Sequence, residues 1–214
     1  MQYSTALTDA ILALACFACT FAISKVRKSQ SEALQAALFC ALLGFLLPAV
    51  AASAGVIHFG FDPAAQAAHA WLTQASTFLG FPLLGAAALS ISMGWNWSRA
   101  NWGRLLLGLC AFFELFRQMD HLDDYRLAIS LGTLLMILVA GLRQWPNRQS
   151  LIPAVAAVAL FAIAGLAVGT HGLMGAVHRV DLFHILLSIA YPLLLWLLTS
   201  LTGRLAKHRS EENR

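Results

Sequence analysis

Residues 33–59, ALQAALFCALLGFLLPAVAASAGVIHF, run for 27 positions without an Asp, Glu, Lys or Arg. At 1.5 Å per residue a helix of that length exceeds the roughly 30 Å hydrocarbon core of a bilayer. Comparable runs lie on either side, separated by short polar breaks. The 214-residue chain is 59% hydrophobic and 11% charged, where a soluble domain carries about a quarter charged residues. Seven spans follow, at 6–24, 33–59, 69–95, 103–118, 127–145, 151–172 and 182–203, the fourth being the shortest. The expected fold is all-α, a polytopic bundle of seven transmembrane helices. It forms one membrane domain over residues 1–204, with a short tail at 205–214.

Basic residues set the expected orientation, because short loops on the cytoplasmic side retain Lys and Arg. With seven spans, eleven of the fourteen fall on one side: Lys25, Arg27, Lys28, Arg99, Arg104, Arg143, Arg148, Arg204, Lys207, Arg209 and Arg214. Only Arg117, Arg126 and Arg179 fall on the other. This gives an N-out, C-in topology, with Trp95, Trp97, Trp102 and Trp145 as a belt at the inner interface. MQYSTALTD has no basic residue ahead of its apolar run, so the first span is expected to be permanent and not a cleaved leader. The expected location is a bacterial inner membrane. The net charge of +4 matches cytoplasmic anchors beside anionic lipid and gives no reason to invoke nucleic acid.

Cys16 and Cys19 form a CxxC, but inside an apolar run they read as small packing residues and not as a redox pair. No internal repeat of the kind common in transporters is visible. Small residues at four-residue spacing, Ala51 with Gly55 and Gly165 with Gly169, suit close helix packing. Pro48 and Pro192 fall inside spans and are expected to kink them.

Titratable residues are distributed unevenly. His58, His69, His121, His171, His178 and His184 fall at the outer ends of spans or in outer loops, with Asp9, Asp62, Glu114, Asp120, Asp123, Asp124 and Asp181. Asp9, His58, Glu114 and His184 share one level, where an unpaired ionisable group costs about 2.5–3.5 kcal/mol on insertion scales. Read as one helix, "HRVDLFHILLSIAYPLLLW" (178–196) spaces His178, Asp181 and His184 three apart, over an arc of about 120°. Imidazole and carboxylate ligate zinc, and a catalytic zinc takes three protein ligands and a water. His58 and His184, with Asp181 or His178, make the candidate set. For any one of these residues an anchoring or paired role is the simpler reading. His69 beside Trp71 looks like an interfacial pair, His121 part of a solvated loop, and Glu114 with Arg117 a salt bridge.

Ser53 and His58 in "SAGVIH" and His184 in "LFHILLSIAY" resemble motifs of the seven-span membrane hydrolase superfamily that includes alkaline ceramidases and the progestin and adiponectin receptors. The resemblance implies a zinc site whose bound water attacks a lipid amide, with a serine and an aspartate assisting. Here Ser53 stands five residues before His58, where the family serine stands four before, and Val180 occupies the place of the first histidine of the family's His-x-x-x-His pair. Asp62 or His69 stands where the family aspartate is expected.

The function expected is a zinc-dependent hydrolase of a lipid amide or ester, working among membrane lipids. His58, His184 and His178 serve as metal ligands, Asp181 or Asp9 orients the water, and Ser53 assists. The alternatives are a receptor holding a lipid-like ligand without turnover, a haem protein using His58 and His184, or a transporter. The near absence of ionisable residues from the inner halves of the spans weighs against proton-coupled transport, and the absence of a lysine inside the seventh span weighs against a retinal pigment.

Overall fold

The computed structural model describes residues 2–175 and 177–212, and only the backbone of Ala33 and of residues 204–212. Seven long helices follow one another: α1 (Tyr3–Lys28), α2 (Glu32–Gly60), α3 (Pro63–Met93), α4 (Arg99–Gln118), α5 (Leu122–Leu142), α6 (Arg148–Val168) and α7 (Arg179–Glu212). All but α4 are long and apolar enough to cross a membrane, as expected of an integral membrane protein.

Those six form a closed ring in the order α1–α2–α3–α5–α6–α7, with α7 returning to α1. α4 leans on the outside of the ring against α2, α3 and α5, which explains why Trp102 and Leu109 are its only fully buried residues. It nevertheless runs from one end of the bundle to the other. Near its start Arg99 pairs with Glu32 at 3.0 Å, and near its finish Phe116 stacks on Tyr125 at the start of α5.

Packing follows the apolar stripes. On α1 the buried residues Thr5, Thr8, Asp9, Leu12, Cys16, Cys19 and Ile23 recur at three- and four-residue intervals on one face. Cys16 and Cys19 lie in the core with Phe45, Leu194 and Leu198, the packing role their sequence context indicates. α2 and α3 cross where both are glycine. A side chain at Gly44 would stand 2.8 Å from the Gly80 carbonyl oxygen, so Gly44 does not tolerate one without separating the helices.

Several helix limits differ from the hydropathy reading. α3 begins at Pro63, not residue 69, because the Asp62 carboxylate accepts the Ala64 N–H at 2.9 Å and caps the first turn. α5 begins at Leu122, not 127, with Asp123 and Asp124 in its first turn favourably placed against the helix dipole. Part of "QMDHLDDYR" is therefore helix and not loop. α7 starts at Arg179, and His178 belongs to a two-stranded hairpin, Leu173–Met174 with Val177–His178. Hence His178, Asp181 and His184 do not share one helix. The backbone of α7 continues through Glu212, so the expected tail is helical in nearly all of its length. Arg214 and the side chains of Arg204, Lys207, His208 and Arg209 lie outside the described residues.

The two ends of the bundle differ chemically. At one end Trp97 lies 5.7 Å from Trp95 and 5.3 Å from Trp102, ring centre to ring centre, among the arginines that follow α3. Among the described side chains, the other end holds the histidines and every carboxylate but Glu32. The Gln2 N–H donates to the Phe59 carbonyl at 3.0 Å there, tying the start of α1 to the finish of α2.

Candidate functional site

At the histidine end of α1, Thr5, Thr8 and Asp9 continue the buried stripe with polar side chains, and α7 answers with Asp181 and His184. Both carboxylates are almost fully enclosed, Asp9 at 1% exposure and Asp181 at 4%. Buried polar groups need partners, and each carboxyl has one on the opposite helix. The Thr5 hydroxyl donates to Asp181 Oδ1 at 2.7 Å. Asp9 Oδ1 stands 3.3 Å from His184 Nδ1, with the Thr8 hydroxyl 3.4 Å from the same nitrogen.

A third helix adds His69. Its Nδ1 lies 3.1 Å from the Ala51 carbonyl of α2, which fixes the hydrogen on Nδ1 and leaves the Nε2 lone pair free. A carboxylate facing Nδ1 sets the same tautomer in His184. Gly55 explains how these groups come together. A Cβ there would meet the Asp9 carboxylate and stand 3.0 Å from His69 Cε1, so the missing side chain makes room for both. Asp9 Oδ2 is left buried without a hydrogen-bond partner among the described residues, an acceptor available to a water, proton or ligand.

These groups line a cavity of about 660 Å³ inside the helix ring, the scale of a small-ligand site, which is about 300–1,000 Å³. Asp9, His69 and His184 contribute to its wall, with Asp123, Arg126 and His171 at the polar end. Leu12, Pro48, Phe81, Leu134, Phe161 and Tyr191 make up its apolar part. Tyr191 is held edge-on to Phe161 at 5.3 Å. Both helical distortions border the cavity, a π turn at Ser76–Gly80 in α3 and another at Ile163–Val168 in α6. Such turns break regular packing and recur at functional sites.

Of the residues singled out from sequence, Asp9 and His184 meet. Asp181 sits one turn before His184, engaged by Thr5 and outside the cavity wall. His58 is also off the wall, its ring stacked 6.0 Å from that of His69 and its Nδ1 without a partner among the described residues. Ser53 donates to the Ala49 carbonyl of its own helix at 2.8 Å, and His178 is on the hairpin. Glu114 and Arg117 form the expected ion pair, at 2.6 Å. Among the described residues no three His, Cys, Asp or Glu side chains stand together so as to hold a metal ion.

Sequence reasoning overlooked Thr5 and Thr8 as members of this cluster, and named His69 only as an interfacial residue or a stand-in for the family aspartate. The signal was available in the periodicity. Thr5, Thr8, Asp9 and Leu12 share one face of α1, while His69, Thr73 and Ser76 recur at three- and four-residue intervals on α3.

The class this arrangement defines is a helical membrane bundle with an Asp–His pair at one end of an internal, largely apolar cavity. Residues 4–201 match the model of a family of unknown function, DUF6962, and the chain belongs to that family. No curated protein and no solved structure matches it.

Proposed function

We propose that the chain is a membrane-embedded hydrolase of an amphiphilic ester or amide, with Asp9, His69 and His184 as its chemical groups. The observation that carries this is the buried Asp9–His184 contact on the wall of a cavity whose remainder is mostly apolar. In the reaction, His184 Nε2 takes a proton from a water while Asp9 steadies the imidazole through Nδ1. The resulting hydroxide attacks the substrate carbonyl, and His184 returns the proton to the leaving oxygen or nitrogen. His69, its Nε2 free, is a second proton acceptor across the same space.

Zinc is implied by the resemblance to the ceramidase group and would require three protein ligands. The described residues do not gather three, so the steps above use only the chain's own groups. The alternative without turnover, a receptor holding the same amphiphile, uses the same cavity. The proposal also has all seven helices crossing the bilayer, since α4 joins the two ends of the bundle, with the histidine end outside and the arginine-rich end inside.

The test is turnover by the purified protein in nanodiscs, using long-chain fluorogenic esters and amides. Product should form, and His184→Ala should lower the rate by about 10²–10⁴-fold, the worth of a positioned acid–base group. Undiminished turnover in His184→Ala refutes the hydrolase. Saturable binding with no product supports the receptor instead.

A further inference from the structure

The cavity wall is incomplete on one side. α5 and α6 are consecutive antiparallel helices of the ring. At the tryptophan end they touch, since a Cβ on Gly141 would collide with Ala154 and lie 3.4 Å from the Ser150 carbonyl oxygen. About 15 Å nearer the histidine end, at 1.5 Å per residue, Leu127 and Leu131 of α5 and Gly165 and Leu166 of α6 line the cavity. Beyond its own stretch of helix, no atom lies within 4 Å of where a Gly165 Cβ would stand. Leu127, Leu131 and Leu166 are 51%, 46% and 65% exposed although they line an internal space. Side chains that border a cavity and also show on the outer surface are the rim of an opening. The helix pair is pinched at one end and parted at the other, and the π turn at Ile163–Val168 lies in the parted half.

An opening framed by leucines, along helices long and apolar enough to span a bilayer, suits hydrocarbon better than water. We infer that the cavity is entered sideways from the membrane, between α5 and α6, by the alkyl chain of a membrane-borne amphiphile. The chain lies against Leu134, Phe161 and Tyr191, and the head group stays at the polar end with Asp123, Arg126 and His171. The space of about 660 Å³ suits a single-chain amphiphile. A water-soluble solute gains nothing from a leucine-rimmed door, because desolvating its polar groups is not repaid there. This names the substrate class for the hydrolase reading and rests on it to that extent, while the route itself requires no turnover.

The test is photolabelling in nanodiscs with a long-chain fatty alcohol bearing a mid-chain diazirine, followed by peptide mapping. Peptides containing Leu134 and Phe161 should be labelled, and Gly165→Trp and Leu131→Trp should each reduce that labelling by about tenfold. Gly165→Ala, which adds one methyl to open space, should label as the parent does. Absent cavity labelling in the parent, undiminished labelling in both tryptophan variants, or equal loss in Gly165→Ala would overturn the inference. The two readings fail separately. Labelling that the tryptophans block, in a protein that hydrolyses nothing, removes the hydrolase and leaves the route. Hydrolysis with labelling that ignores the tryptophans removes the route alone.

Discussion

Asp9 on α1 and His184 on α7 face each other with Oδ1 and Nδ1 3.3 Å apart, and both are buried. The contact joins the first and last helices of the ring and fixes the ring nitrogen that faces the cavity. Asp9→Asn keeps the shape of the side chain while removing its ionisable carboxyl, so it separates chemistry from packing. Hydrolysis by Asp9→Asn should fall by about 10²–10⁴-fold, with a thermal unfolding midpoint close to that of the parent. A variant that unfolds early while retaining specific activity would give the contact a purely structural role.

The Thr5–Asp181 hydrogen bond makes the opposite prediction, a loss of stability with little direct effect on chemistry. Thr5→Val is nearly isosteric but leaves the enclosed Asp181 carboxylate without its donor, a deficit of about 1–3 kcal/mol. Thr5→Ser restores the hydroxyl and should recover most of it. Chemical unfolding of the two variants in detergent measures the difference, and equal stability would show that Asp181 is satisfied in another way.

What could be read from the sequence divides along physical lines. Helix number and approximate position follow from hydropathy, since lipid-facing length is a requirement on every span. The division of basic and histidine residues between ends was equally visible, because it depends on chain order and not on contacts. Helix starts were misplaced where local polar chemistry overrode hydropathy. Asp62 began α3 early by capping it, and the four residues Leu173, Met174, Val177 and His178 entered a hairpin that no apolar periodicity announces. The cluster itself was half legible. Asp9 and His184 stood out because charge in an apolar run is conspicuous. Thr5 and His69 did not, because a threonine in a span is unremarkable, and only the folded ring shows that His69 turns toward Gly55 and away from the interface.

Gly55 gives a sharp test of that ring geometry. Its missing side chain leaves room for both Asp9 and His69, so Gly55→Ala should push them apart while changing helix propensity in the favourable direction by about 1 kcal/mol. Activity should drop even though α2 itself is not weakened. Full activity in Gly55→Ala would mean that the three groups need not converge.

His69 lies in the cavity wall and His178 on the hairpin, so the two histidines should differ in what their loss does. His69 has its Nδ1 fixed by the Ala51 carbonyl at 3.1 Å, which orients Nε2 without help from any ligand. His69→Ala removes that free acceptor and also strands the Ala51 carbonyl. His69→Asn is the better probe, because its short amide can still donate to that carbonyl while offering no imidazole. Hydrolysis should fall by about tenfold or more in His69→Asn, with photolabelling of the cavity retained. His178→Ala should hydrolyse at the parental rate, since His178 lies on the hairpin and does not border the cavity. Steady-state rates of the two variants side by side decide the matter: a silent His69→Asn with a dead His178→Ala would move the chemistry out of this cavity and onto the hairpin.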